Sequence, residues 1–399
     1  MGILTLPLSI ISLTEQSMGN NHLIFDFQSS TPCCPEVVQE MSPYWNEHWG
    51  NPSNINNRSG VFASAAVEVS REKIASYLNI NPKRLVFTSG ATEANNLGLV
   101  GHARAKAKII GKPGHIITVS TEHHAVLDPL RQLQKEGFHL TELQPNKEGL
   151  INIEQLSRAV EKDTFLVSVM AANNEIGVLQ PITEIGSFCR RKGIAFHTDA
   201  AQALGYLDLE PDKSRIDFMS LSAHKIYGPK GVGALVIRDE FALEPSQYGG
   251  GQELGLRSGT LPVPLIVGFA KAVEITKNDQ DKRNKRLLFL RNLLLDGLKK
   301  NISGLIVNGS IDQRLPHNLN ITFPGVNGSQ LHGQLRRFIF CTSGSACSNG
   351  EASHVLREIG LCKKDAEASI RMSVGRNTTE KDIKEAIEII TKIVNNLIQ

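Results

Sequence analysis

The feature that most constrains the fold is a regular alternation of helix-like and strand-like segments between residues 60 and 240. Apolar residues recur at helical spacing in VFASAAVEVSREKIASYL, and short apolar runs typical of strands occur at RLVFT, HIITVS, FLVSVM and DFMSLS. These runs lack the polar alternation of a half-exposed sheet, so both faces of each strand are expected to be buried. The pattern therefore predicts an α/β fold with a mainly parallel sheet between layers of helices.

The composition changes near residue 271, where a strongly charged segment leads into an amphipathic one. Four leucines at helical spacing predict one long connecting helix there: Leu287, Leu290, Leu294 and Leu298. Strand-like segments follow at HNLNITF and SIRMSVG, and a last helix is predicted to begin after Thr379. We therefore expect a large domain over residues 23–270 and a smaller α+β domain over residues 271–399.

Residues 1–22 are interpreted as an N-terminal extension that is poorly ordered. Their apolar run, GILTLPLSIISL, contains no Lys or Arg, and no small-residue cleavage site follows it as it would in a signal peptide. The run is also shorter than the ~20 residues that cross a bilayer. The six cysteines form neither a disulfide framework nor a CxxC pair, which favours a reducing compartment. A cytoplasmic protein without a membrane partner is therefore expected.

The charge of the chain gives no reason to expect a nucleic-acid partner. The net charge is only +3 over 399 residues, and no run of Lys and Arg is interleaved with aromatic residues. No metal-binding residues are expected either.

Candidate ligand-binding residues follow the predicted strands, because ligands of such sheets bind at the carboxyl ends of the strands. Lys225 comes after FMSLS, beside His224, and suits a buried amine that forms a Schiff base, although this stretch taken alone is explained somewhat better by a surface lysine in a turn. Asp199 and Gln202 follow IAFHT. Asp199 is placed either to hold a protonated ring nitrogen or to cap a helix.

Three further strand ends carry polar residues that suit a bound cofactor. Residues 89–92, Ser-Gly-Ala-Thr, enter a helix whose free N–H groups and hydroxyls can hold a phosphate. His123 is suited to stack on an aromatic ring, and Asn174 follows another strand. A phosphate seat, a stacking imidazole, a carboxylate for a ring nitrogen and a Schiff-base lysine together describe a site for pyridoxal phosphate.

A cysteine near the end of the chain lies in a stretch with almost no apolar neighbours. Cys347 is surrounded by Ser, Thr, Asn and Gly in TSGSACSNG, whereas cysteine usually behaves as a small buried hydrophobe. Such a composition predicts a solvated loop that can move. Cys341, on the strand-like run before it, is interpreted as a core residue.

With these motifs in order, the chain resembles the cysteine desulfurases of the NifS/IscS type, within the class V aminotransferase group of fold-type I pyridoxal-phosphate enzymes. The resemblance runs from about Leu23 to the C-terminus. It rests on FTSGATEANNL, TEHHAVLD, NNEIGVLQPI, HTDAAQALG, SAHKIYGPKG, LRSGTLPV, TSGSACS and SIRMSVGR. It implies a large cofactor domain, a small C-terminal domain and a homodimer.

The resemblance also implies roles for the residues that match the family's motifs. Lys225 would be the Schiff-base lysine, Asp199 the partner of the pyridine nitrogen, and Gln202 the partner of the ring hydroxyl. His123 would stack on the ring and move protons. Four residues would hold the phosphate, the last of them from the second subunit: Thr92, Ser222, His224 and Thr260.

The implied reaction removes sulfur from L-cysteine, giving L-alanine and a persulfide on Cys347. Arg371, assisted by Asn174, would bind the substrate carboxylate, and the sulfur would pass to a protein acceptor such as an iron–sulfur scaffold. Alternatives on the same fold are selenocysteine lysis and transamination of a small amino acid. A cofactor-binding scaffold with little turnover is a further alternative.

The sequence departs from the family's usual pattern at three places. Asn57 stands where a histidine is usual, Leu254 where an arginine is common, and the segment after Cys347 is a few residues shorter. The shorter segment puts the identity of the sulfur acceptor in doubt.

Overall fold

The computed structural model describes residues 22–342 and 352–398. Its largest sheet has seven strands, which are Leu85–Thr88 (β2), His115–Val119 (β3), His139–Leu143 (β4), Thr164–Ser168 (β5), Ala195–Asp199 (β6), Phe218–Ser222 (β7) and Gly233–Ile237 (β8). Their order across the sheet is β2-β8-β7-β6-β5-β3-β4. Neighbours pair in parallel from β4 through to β7, while β8 runs antiparallel to both β7 and β2. The predicted α/β fold with a mainly parallel sheet is confirmed.

Alternate residues of these strands face two separate cores. In β8, Val236 belongs to the core on one face of the sheet and Leu235 to the core on the other. In β2, Phe87 belongs to the same core as Val236, and Val86 belongs to the same core as Leu235. Both faces are therefore apolar, which is the physical reason that the strand sequences show no polar alternation.

Helices cover both faces of this sheet. The longer ones are Arg58–Leu78, His102–Ile110, His124–Lys135, Ile182–Lys192, Val263–Asn301 and Glu380–Ile398. The shorter ones are Pro35–Met41, Pro43–Asn46, Ala91–Asn96, Ile153–Ala159, Gly328–Leu335, His354–Glu358 and Lys363–Glu367. Within the described residues, no helix combines the length and the apolar character needed to cross a bilayer.

Two smaller sheets lie in the C-terminal third of the chain. Ile306–Val307 (β9), Asn318–Thr322 (β10) and Ser369–Ser373 (β12) form an antiparallel sheet in the order β12-β10-β9. Leu23–Ile24 (β1) pairs in parallel with Ile339–Phe340 (β11). The N-terminal end of the described chain is therefore built into its C-terminal part, which the sequence patterns do not predict.

The helix Val263–Asn301 is longer than the sequence pattern indicates. It buries the four leucines that predict it, but it begins eight residues before position 271 and continues through that position without a break. The proposed division at residues 270 and 271 therefore falls inside a helix and stays a prediction. The last helix begins as predicted, because the Thr379 hydroxyl accepts a hydrogen bond from the backbone N–H of Asp382 at 3.2 Å.

Candidate active site

A cavity of about 470 Å³ lies at the carboxyl ends of the central strands. Nine of the eleven residues predicted for the site line it: Thr92, His123, Asn174, Asp199, Gln202, Ser222, His224, Lys225 and Arg371. They come from separate strand ends and from both parts of the chain. The convergence expected of a parallel sheet thus brings these residues together.

Lys225 ends a short 3-10 turn, Ala223–Lys225, directly after β7. Its Nζ donates hydrogen bonds to the backbone carbonyls of Gln28 and Ser29, each at 2.8 Å. These two residues come from the N-terminal segment and also line the cavity. The segment therefore holds the lysine amine at the cavity wall.

Asp199 is the last residue of β6 and is almost completely buried. One carboxylate oxygen accepts from the Asn95 side-chain amide at 2.7 Å, and the other accepts from the backbone N–H of Ala201 at 2.9 Å. Both contacts fix the plane of the carboxylate. Because the side chain lines the cavity, its negative charge is available to a cationic group bound there.

Glu122 lies close to Asp199 and is fully buried. Burial, followed by the negative charge of Asp199, raises the pKa of the Glu122 carboxyl well above its usual value. Asp199 therefore has beside it a carboxyl group whose charged form is disfavoured.

His123 caps the helix His124–Lys135 by accepting a hydrogen bond on Nδ1 from the backbone N–H of Ala125 at 3.0 Å. Burial lowers the pKa of His123, so the imidazole is neutral near pH 7. An imidazole that accepts on Nδ1 carries its proton on Nε2. His123 can therefore offer or exchange a proton at Nε2.

The other predicted histidine, His224, precedes Lys225 in the same 3-10 turn. Burial, with smaller contributions from the charges of Lys225 and Lys230, lowers the pKa of His224 to about 4. Its Nδ1 lies 3.2 Å from the Ser30 hydroxyl. A neutral imidazole with a free N–H is a suitable hydrogen-bond donor to an anion.

A glycine turn shapes the end of the cavity between β2 and the helix Ala91–Asn96. Gly90 has a φ of 150°, which side-chain-bearing residues rarely adopt, and a Cβ on it would meet no atom within 4 Å. A Cβ on Gly233 would lie 2.7 Å from the Gly90 Cα, so β8 can approach this turn only because residue 233 is a glycine. The backbone is thereby left open for an anion next to Thr92 and Ser222.

Arg371 lies on β12 and is almost completely buried. Its guanidinium donates to the Asn174 carbonyl at 2.7 Å and to the Asp26 carboxylate at 2.8 Å. Arg371 Nε and Asn174 Oδ1 are buried and have no hydrogen-bond partner among the described residues. Unpartnered polar atoms at a cavity wall are expected where a polar ligand binds.

Cys347 lies outside the described residues, and its position stays a prediction. The residues on either side of residues 343–351 are held next to the cavity. Thr342 pairs with Arg371, whose N–H donates to its carbonyl at 2.7 Å. On the other side, His354 Nε2 lies 3.0 Å from the Glu122 carbonyl, and Ser353 donates to the Glu175 carboxylate.

Thr260 does not line the cavity and is exposed on the surface. A role for it in the site of a second subunit stays a prediction. Cys341 is half-buried against the core, and burial, with a smaller contribution from the charge of Asp26, raises its pKa to about 12. This thiol is therefore not a nucleophile near neutral pH.

Sequence reasoning missed four residues that shape the site: Gln28, Ser29, Asn95 and Glu122. The first two precede any periodic pattern, and long-range contacts hold them at the cavity, including the pairing of β1 with β11 and the hydrogen bond from the Gln28 N–H to the Ser373 hydroxyl. Asn95 and Glu122 lie in the motifs FTSGATEANNL and TEHHAVLD, so a buried polar residue beside a predicted ligand residue was the available signal.

A family model for class V aminotransferases matches residues 23–385, nearly the whole described chain. This fold and cavity are therefore those of that enzyme class. A protein of Dechloromonas aromatica (strain RCB) named cysteine desulfurase IscS is 45% identical over 379 residues, covering 94% of this chain and 93% of the relative. One of the same name from Vibrio vulnificus (strain CMCP6) is 47% identical over 381 residues, with the same coverage.

Solved structures agree with the sequence comparisons. A structure described as a NifS-like protein superposes with a TM-score of 0.87 at 34% identity, covering 94% of this chain and all of that one. Another, described as SspA in complex with cysteine, gives a TM-score of 0.79 at 38% identity, covering 88% of this chain and 98% of that one. The chain belongs to the cysteine desulfurases of the class V aminotransferase family, which confirms the predicted resemblance.

Proposed function

We propose that this protein is a pyridoxal-phosphate-dependent cysteine desulfurase, which converts L-cysteine to L-alanine and leaves the sulfur on Cys347 as a persulfide. The names of the relatives support this activity. The observation that carries the proposal is the convergence of nine predicted residues on one cavity, with an amine, a carboxylate and a guanidinium on its walls.

The chemistry of the cavity fits the cofactor. Asp199 supplies a buried, rigidly held carboxylate for the pyridine nitrogen, and Gln202 supplies an amide for the ring hydroxyl. Thr92, Ser222 and His224 surround the open turn at Gly90, where hydroxyls and N–H groups suit a phosphate. When bound, pyridoxal phosphate withdraws electrons from the α-carbon of an attached amino acid.

Lys225 is the amine that would attach the cofactor. Its Nζ donates hydrogen bonds to the carbonyls of Gln28 and Ser29, and an ammonium group must lose a proton before it can attach a carbonyl compound. His123 is neutral and lines the same cavity, so it is placed to exchange that proton. Its ring is also placed to stack on a bound aromatic group.

Arg371 and Asn174 would bind the substrate. The guanidinium is a bidentate partner for the α-carboxylate of cysteine, and its buried Nε is available for that contact. The thiolate of Cys347 then attacks the sulfur of the bound cysteine. A sulfur–sulfur bond forms, the carbon–sulfur bond breaks, and its electron pair stays with the carbon that becomes the methyl group of alanine after protonation.

Desulfuration explains more of the molecule than its alternatives do. Transamination gives no role to Cys347, whereas the segment carrying it is held at both ends next to the cavity. A cofactor-binding scaffold without turnover does not explain why Arg371, a partner for a substrate carboxylate, lines the same cavity as Lys225 and Asp199. Selenocysteine lysis uses the same residues, and the ratio of rates on cysteine and selenocysteine decides between the two substrates.

Two further elements belong to the proposal. We infer that the active form is a homodimer in which Thr260 of each subunit reaches the phosphate of the other. We also infer that the persulfide passes to a protein acceptor such as an iron–sulfur scaffold.

The test measures alanine and sulfide released from L-cysteine in the presence of a thiol reductant. Wild-type protein should release both in equal amounts, and Lys225→Ala should release neither. Borohydride reduction of the wild type should attach the cofactor irreversibly to the peptide that contains Lys225. A label on Lys230, the other lysine of the cavity, would overturn the assignment.

A further inference from the structure

A second cluster of ligand-type side chains lies at the edge of the sheet opposite to the cavity. His115 and His139 are the first residues of the parallel strands β3 and β4, and Glu161 comes shortly before β5 begins. Because β3 lies between β4 and β5, the N-terminal ends of these strands meet there. The cluster is therefore separate from the proposed active site.

The three side chains are close enough to share one ion. Glu161 Oε2 lies 3.1 Å from His139 Nδ1, and Glu161 Oε1 lies 3.9 Å from His115 Nε2. One ligand atom from each residue lies within 4.8 Å of the other two. Zinc–ligand bonds of about 2.0–2.1 Å in tetrahedral geometry separate ligand atoms by about 3.4 Å. His139 and Glu161 are exposed, so their side chains can rotate to bring the ligand atoms to that separation.

His115 is held in place by the residues around it. It is completely buried, and its Nδ1 lies 2.7 Å from the Thr164 hydroxyl. The same hydroxyl accepts a hydrogen bond from the backbone N–H of Glu161 at 2.7 Å. Thr164 therefore orients both the His115 imidazole and the segment that carries the Glu161 carboxylate. Hydrogen bonds of this kind orient the ligands of metal sites. His115 Nε2 also lies 2.9 Å from the Thr141 hydroxyl, a contact that a bound ion would replace.

We propose that His115, His139 and Glu161 bind a Zn²⁺ ion, with water in the fourth position. Two imidazoles and one carboxylate form a donor set that suits zinc, and solvent reaches the site because His139 and Glu161 are exposed. The ion joins β4, the edge strand of the sheet, to β3 and to the segment before β5. Its role is to stabilise this edge.

The sequence predicts no such site, because the three residues share no short motif and meet only through the strand pairing. The proposal does not depend on the proposed activity. A protein that binds zinc here and does not desulfurate cysteine would separate the two.

The test is a zinc titration by calorimetry, followed by thermal unfolding with and without zinc. Cofactor-loaded Cys347→Ser protein is the background, because this removes a thiol that competes for the metal. We expect one equivalent to bind and to raise the melting temperature. In that background His139→Ala should weaken this binding at least tenfold and abolish the rise, and Glu161→Gln should weaken it in the same direction.

His48, which is exposed and does not belong to the cluster, provides the control. His48→Ala should bind zinc as the background does. Both ligand variants change exposed side chains, so their folding can be checked by unfolding in the absence of metal. Cobalt provides a second readout, since four-coordinate Co²⁺ bound at the site should show visible d–d absorption that His139→Ala loses. If His139→Ala binds the same equivalent of zinc with unchanged affinity, the site does not exist.

Discussion

His197, two residues before Asp199 on β6, makes the free energy of unfolding depend on pH. The imidazole is completely buried, with Nδ1 2.9 Å from the Ser168 hydroxyl and Nε2 3.1 Å from the Ser220 hydroxyl. Burial lowers its pKa from 6.5 to about 3. Between these pH values the unfolded chain binds a proton at His197 and the folded protein does not, so the free energy of unfolding falls as pH falls below 6.5.

The size of the effect follows from the pKa. One pH unit corresponds to about 1.36 kcal/mol for each proton bound only by the unfolded chain, so lowering the pH from 6.5 to 5 costs about 2 kcal/mol through His197 alone. Other buried groups titrate in the same range, and a comparison with a variant removes their contribution. His197→Gln keeps a donor and an acceptor but does not titrate.

The assay is urea unfolding of the wild type and His197→Gln at pH 7.5 and pH 5, at one protein concentration. The difference in unfolding free energy between the two proteins should shift by about 2 kcal/mol in favour of the variant at pH 5. The same difference should not change between pH 7.5 and pH 8.5, where neither state of His197 is protonated. A difference that stays constant down to pH 5 refutes the reasoning.

Three predictions concern the site. Asp199→Asn should fold, bind the cofactor more weakly and lose most turnover, because the charge-assisted hydrogen bond to the ring nitrogen is worth about 1.5–3 kcal/mol. Near-normal turnover would show that another group holds the ring. Cys347→Ala should bind the cofactor and change its spectrum when cysteine is added, but it should release almost no alanine. Cys341→Ala should lose only about 1 kcal/mol of stability. If Cys347→Ala releases as much alanine as the wild type, the persulfide role of Cys347 is contradicted. Arg371→Lys should raise the KM for cysteine about tenfold or more with a smaller effect on kcat, since the bidentate contact is lost; an unchanged KM places the carboxylate elsewhere.

Much of the cavity could be predicted because parallel strands place their carboxyl ends together. Asp199 ends β6 and Lys225 follows β7, and both strands are buried throughout, so the sheet alone brings the two residues to one edge. Arg371 lies on a strand of a different sheet, and only the resemblance to a known family linked it to the other residues. Its position depends on how the two parts of the chain pack, which periodicity does not encode.

The direction of β8 and the pairing of β1 with β11 could not be predicted for a related reason. An apolar strand reads the same whether it pairs in parallel or antiparallel, and GALVI carries no signal for either. A strand of two residues, such as Leu23–Ile24, is too short for any pattern to stand out. Long-range pairing decides both features.

The dependence of the cavity on residues 26–29 has a consequence for the order of folding during synthesis. Asp26 accepts a hydrogen bond from Arg371, which lies 345 residues later in the chain. Asp26 therefore leaves the ribosome long before its partner is synthesised. All seven strands of the large sheet have emerged with Ile237, and the helix Val263–Asn301, which completes one of its cores, emerges before β11 and β12, so the sheet can fold while the N-terminal segment still waits for these two strands. Contacts between such distant residues are slow to form. The cavity is therefore one of the last parts of the protein to mature, and a nascent chain that stalls before β12 carries a folded sheet without Arg371, the arginine proposed to bind substrate.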